Sequence, residues 1–158
     1  MTCDHSDRRM AGFDSTENIR AEGKLDVSHD RLPGGARFVR FRPVGFLSKD
    51  AVLETLRLLS ERSELGAKMP TLWDFRGFDF NPYDLAVCRR QLLSLAHMPQ
   101  RKGALRAFVV DSELGYGCIR MAQEVLSGHG IEDMGNLHVT YSCEDALQWI
   151  AEKLLAQE

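Results

Sequence analysis

Residues 71–90, TLWDFRGFDFNPYDLAVCRR, begin as a buried strand and end as an amphipathic helix. The first five are mostly apolar and aromatic, as a strand inside a sheet requires. Pro82 suits a first helical turn, where a missing N–H costs nothing, and Asn81 before it is a natural N-cap. Leu85, Cys88, Leu92 and Leu95 then recur at helical spacing and make a buried stripe. Between strand and helix lies a turn that holds Asp74, Arg76, Asp79 and the aromatics Phe75, Phe78 and Phe80. Turns of this kind sit at the carboxyl edge of α/β sheets, where helix N-termini present free backbone N–H groups. The stretch sets the fold class and raises the question of what the turn does.

On the N-terminal side, KLDVSHD (24–30) and ARFVRFRPV (36–44) read as strands joined by the turn RLPGG, an antiparallel hairpin. Ser48 is an N-cap for a helix carrying Val52, Leu53, Leu56 and Leu59, with Asp50 favourable in its first turn. On the C-terminal side, ALRAFVVD (104–111) is apolar almost throughout, as a strand covered on both faces should be. GYGCIRMAQEVLSGHG (115–130) reads as a helix ending at a glycine stop, and LHVTY (137–141) as the last strand. Ser142 and Asp145 form a capping box ahead of Ala146, Leu147, Ile150 and Leu154, the final helix. The order is β-β-α-β-α-β-α-β-α. It predicts a single α/β domain with a mixed five-stranded sheet, an N-terminal antiparallel hairpin, and parallel pairing of the last three strands through βαβ units.

With 158 residues the chain suffices for one domain, and its 44% hydrophobic and 27% charged residues with net charge −3 are those of an ordinary globular protein. That balance gives no reason to expect nucleic acid as a partner. No apolar run is long enough for a transmembrane segment, and the charged N-terminus lacks the apolar core of a signal peptide, so a cytoplasmic location is expected. Residues 1–23 are polar and aperiodic and read as a disordered leader; the domain spans 24–158. Cys3, Cys88, Cys118 and Cys143 are far apart, without a C-x-x-C pair, and are expected to be thiols; no metal or other cofactor is expected.

The element order, with LWDFRGFD after the third strand, RAFVVDSELGYGCIRMAQ around the fourth and VTYSCEDALQWI into the last helix, resembles the SpoIIAA-like superfamily. Its members include the STAS domains of bacterial anti-sigma-factor antagonists. The resemblance covers residues 24–155. It implies a non-enzymatic regulatory module that binds a protein partner, with nucleotide or lipid binding implicated for some members. In antagonist domains a phosphorylatable Ser or Thr opens the helix after the third strand. DFRGFDFNPYDL contains neither, so that phosphoswitch is not carried over.

Two sites stand out. Asp74, Arg76, Phe78, Phe80 and Tyr83 form the candidate partner surface, because three aromatics in an irregular turn cannot all follow one buried face. Gly115, Tyr116, Gly117 and Arg120 form the candidate ligand site, where helix amides could cradle a lipid, nucleotide or other anion. Asp74 and Asp111, at the ends of neighbouring strands, could hold Mg²⁺ as in receiver domains. LHVTYSCED supplies no Lys for that chemistry, however, and the favoured reading is that they cap turns or pair with Arg76 or Arg106. Trp73 and Trp149 read as core aromatics, and no catalytic set with a recognisable signature is present. The expected partner is a protein, either a second copy in a homodimer or another chain.

Overall fold

The structure, a computed structural model, describes residues 24–44, 54, 57, 68–80, 103–128, 130 and 134–158. Strands β1 (Lys24–Arg31) and β2 (Arg37–Val44) form the expected hairpin, in antiparallel register from Lys24 opposite Val44 to Arg31 opposite Arg37. The turn closes through Leu32 N–H to the Ala36 carbonyl and Gly35 N–H to the Leu32 carbonyl, both 2.8 Å. Gly35 sits at φ 91, a conformation that costs a glycine little.

Strands β3 (Thr71–Asp74), β4 (Arg106–Val109) and β5 (Leu137–Thr140) complete a five-stranded sheet in sequential order. β2–β3, β3–β4 and β4–β5 are all parallel. Parallel pairing therefore begins one strand earlier than the sequence pattern predicts. Residues 45–70, between β2 and β3, are numerous enough for the crossover that such a pair requires.

Helix α1 (Glu113–Gly128) follows β4, and helix α2 (Cys143–Ala156) follows β5. α1 starts earlier than glycine spacing suggests, because Ser112 caps it: its hydroxyl accepts the Gly115 N–H at 3.0 Å. α2 starts where expected, with extended Ser142 accepting the Asp145 N–H at 3.3 Å. The expected helices after β2 and β3 lie outside the described residues, except Glu54 and Arg57. Both of these are helical and they form an ion pair at 2.7 Å.

Strand side chains alternate between two cores. On one face Phe38, Leu72, Ala107 and Val109 pack against Cys143, Ala146, Leu147 and Ile150 of α2. On the other, Val110 and Val139 meet Ile119 of α1 and Phe80, with Phe75, Phe78, Phe108, Tyr116 and Cys118 around them. Trp73 extends this second face, stacked on Phe41 with ring centroids 4.4 Å apart. Among the described residues no helix is long and apolar enough to cross a membrane.

One cysteine assignment changes. Cys118 is a half-buried free thiol whose pKa burial raises, but Cys143 is disulfide-bonded, not a thiol. Its partner lies outside the described residues. A disulfide there runs against the reducing setting from which thiols were expected.

Two outcomes follow from this packing. Ile150→Ala should cost about 2–5 kcal/mol in urea unfolding, since Ile150 is fully enclosed between α2 and the sheet. Alkylation of the denatured protein should leave Cys143 unlabelled without reductant and label it once dithiothreitol is added; labelling in both conditions would return it to a thiol.

Candidate functional site

The carboxyl ends of β3, β4 and β5 bring Asp74, Asp111 and Tyr141 to one edge of the sheet. Asp74 is 1% exposed, and a carboxylate so buried needs a partner of opposite charge. Arg76 supplies it by doubling back. Its Nε donates to Asp74 Oδ1 at 2.9 Å and its Nη2 to Oδ2 at 2.8 Å, while the Arg76 backbone N–H reaches Oδ1 at 3.2 Å. This two-pronged arrangement is the strong geometry for guanidinium and carboxylate. Burial pushes the Asp74 carboxyl up, but the hydrogen bonds and charge of Arg76, with the charge of Arg42, outweigh it and hold the group below its ordinary value. The same pairing raises Arg76.

Asp111 secures the other side of the turn. Its Oδ2 accepts the Gly77 N–H at 2.7 Å, and Gly77 adopts φ 76, where a side chain would be strained. Phe75 N–H donates to the Val109 carbonyl at 2.8 Å, and Phe78 N–H to the Phe75 carbonyl at 3.0 Å. Asp74 and Asp111 thus serve the turn: one pairs with Arg76 and the other caps a backbone amide. Among the described residues no group of three His, Cys, Asp or Glu side chains is placed to hold a metal ion.

The aromatics of the turn divide. Phe75 and Phe78 are half-buried, whereas Phe80 is buried in the α1-side core. Phe78 and Phe80 meet edge to face, with centroids 4.9 Å apart. A Cβ on Gly115 would lie 2.9 Å from the Phe80 ring, so only glycine lets α1 approach this closely. Phe80 and Asp74 therefore leave the candidate partner surface, because both are spent inside the fold. Arg76 and Phe78 stay at its margin, and Tyr83 lies outside the described residues.

The anion-site residues are not gathered around one point. The Gly115 N–H is taken by Ser112, as is the Tyr116 N–H, which donates to the Ser112 carbonyl at 3.0 Å. Gly117 is exposed, and Arg120 Nη1 donates to Gln123 Oε1 at 3.0 Å. Tyr116 instead stacks on Tyr141, with centroids 5.2 Å apart and planes 13° from parallel.

Tyr141 is 53% exposed, and Leu114 in the first turn of α1 is 48% exposed, so the edge carries an apolar surface that its sequence did not advertise. The available signal was the position of Tyr141, last in its strand and just before the cap Ser142. A second arrangement also escaped: His138 Nε2 lies 2.9 Å from Asp145 Oδ2, and the His138 ring stacks on Trp149 at 5.0 Å. Hydrogen bonds from His138 and Thr140 hold the Asp145 carboxyl below its ordinary value. Strand β5 turns straight into α2 and so brings residues seven apart face to face.

Compared with family models, curated proteins and solved structures, the chain shows no match in any of the three.

Asp74→Asn should destabilise the protein at pH 7 by about 1.5–3 kcal/mol, because Arg76 loses its charged partner. The folded pKa of Asp74 is depressed, so its contribution is present above the unfolded value of about 3.9 and lost as pH falls through the folded value. Denaturant midpoints at pH 7 and pH 3 check this. The gap between wild type and Asp74→Asn should narrow at pH 3, and a constant gap would show that the charge is not used.

Proposed function

We propose that the protein is a non-enzymatic, STAS-like interaction module whose contact surface is the carboxyl edge of the sheet. One observation carries this reading: the exposed Tyr141–Tyr116 stack, at an edge where Asp74, Asp111 and the Gly115 amide are already engaged within the fold. Exposed aromatics are the side chains that dominate binding energy at protein interfaces. Catalytic sites instead need titratable groups left free to act on a substrate. Here Asp74 is committed to Arg76, Asp111 to Gly77, and the Gly115 amide to Ser112. The resemblance to STAS domains points the same way, since partner binding is their usual role. The partner is a protein, whether a second copy or another chain. The alternative, an anion held by the α1 N-terminus, has less to support it, because the Gly115 N–H and Arg120 already have internal partners.

Tyr141→Asp tests the proposal. The charge should reduce self-association in sedimentation, or capture of a partner from native lysate, by tenfold or more, with circular dichroism unchanged. Leu155→Ser, exposed near the C-terminus of α2, serves as the control and should behave as wild type. Equal association and capture by Tyr141→Asp and wild type would remove the edge as the contact surface.

A further inference from the structure

The exposed Tyr141 ring stands beside the first turns of both helices, and each turn brings a glutamate to it. The ring stacks on Tyr116 with planes 13° from parallel, so it is held in place while 53% of the residue meets water. Glu113 opens α1 three residues before Tyr116, which puts their Cβ atoms about 5–6 Å apart on one helix surface. Glu144 lies in the first turn of α2, three residues after Tyr141, and the covalent chain keeps their Cα atoms within about 10 Å. Both glutamates are exposed, and among the described residues neither has an ion pair or a hydrogen bond.

The charges around the stack do not offset them. Residues 110–119 and 140–151, which frame it, carry four carboxylates, Asp111, Glu113, Glu144 and Asp145, and no Lys or Arg. Asp111 and Asp145 already serve the fold, through the Gly77 N–H and His138. Arg120 lies a turn beyond Tyr116 along α1, and its guanidinium donates to Gln123 Oε1, further still from the edge. Arg76 is paired with Asp74. A helix dipole favours an acidic residue in a first turn, which accounts for either glutamate by itself. It does not account for an exposed tyrosine stack placed with both.

A flat aromatic ring with free carboxylates close by suits a guanidinium above other cations. The planar group stacks on the ring while its N–H groups donate to the carboxylates. An ammonium, compact and strongly hydrated, uses the charge but not the stacking. Resting on the reading of this edge as a contact surface, we propose that it takes an arginine-bearing segment of a protein partner. A guanidinium stacks on the exposed Tyr141 ring, and Glu113 and Glu144 are its counter-charges.

The probe is a short acetylated peptide of alternating arginine and glycine, titrated calorimetrically into the full chain. The same peptide with citrulline, the neutral analogue of arginine, is the control. The arginine peptide should bind saturably, about tenfold tighter than the control, and sodium chloride should weaken it. Tyr141→Phe should bind it as wild type does, and Tyr141→Leu, which keeps apolar bulk without a ring, about threefold more weakly. Glu113→Gln combined with Glu144→Gln should lose about threefold and flatten the salt dependence, with circular dichroism unchanged. An arginine peptide that binds no tighter than the control overturns the proposal. So does binding that persists unchanged in Tyr141→Leu and in the double variant. Where either result accompanies a Tyr141→Asp variant that still loses self-association or capture, the contact surface stands and only the chemistry of its partner is wrong. Wild-type self-association that the arginine peptide does not compete away gives the edge to a second copy, and likewise overturns the proposal.

Discussion

The corner at Asp74 is held by one pairing, and much of the carboxyl edge follows from it. A carboxylate at the end of a central parallel strand, almost wholly enclosed, is tolerable only with a cation against it. Arg76 is just two residues further on, so the chain must fold back immediately after the strand. That reversal places Gly77 in a left-handed conformation and presents its amide to Asp111 on the next strand. It also carries Phe78 and Phe80 under α1, and Phe80 in turn demands that α1 carry glycine at position 115. An ion pair, a turn, two rings and a helix approach are thus consequences of a single buried charge.

The same economy shapes what the edge can do. Asp74, Asp111 and the Gly115 amide are engaged in holding the corner and the helix start together, and the Tyr141 ring faces outward beside them. Tyr141 closes its strand and lies against Tyr116, so its ring is pre-positioned and loses little freedom when something covers it. A preorganised aromatic contact contributes to affinity because the cost of ordering it has been met in folding. This is the physical sense in which the edge suits the contact surface proposed for it.

What the sequence disclosed follows where local rules are strong. Alternating apolar strands, the turn at Gly35 and the Ser142–Asp145 cap were legible because each depends on neighbours in the chain. The parallel partnership of β2 with β3 was not, since a hairpin strand carries no mark of what pairs on its far side. Nor was the division among Phe75, Phe78 and Phe80: an irregular turn has no period, so which ring goes inside is settled by the space above Gly115. Of the candidate site, the pairing of Asp74 with Arg76 was among the readings available, whereas Tyr141 and the His138–Asp145–Trp149 arrangement arise only when strand and helix are set side by side. The start of α1 shifted for a similar reason: Ser112 competes with the glycines as an opening signal, and its hydroxyl wins by satisfying an amide.

The two faces of the sheet are unequal, and the inequality is informative. The α2 face is aliphatic at its centre, with Leu72, Ala107, Val109 and Ile150 closing it without an exposed gap. The α1 face mixes rings with buried donors, and each unpartnered donor detracts from the stability that the rings provide. A chain under pressure only to fold would have Leu or Val in place of Gln123, whose neighbours along α1, Ile119 and Leu126, are aliphatic. Departures from local consistency concentrate where a protein does something besides fold. By that criterion the α1 face, which also contributes Tyr116 to the exposed stack, is the side of this sheet on which function is to be sought.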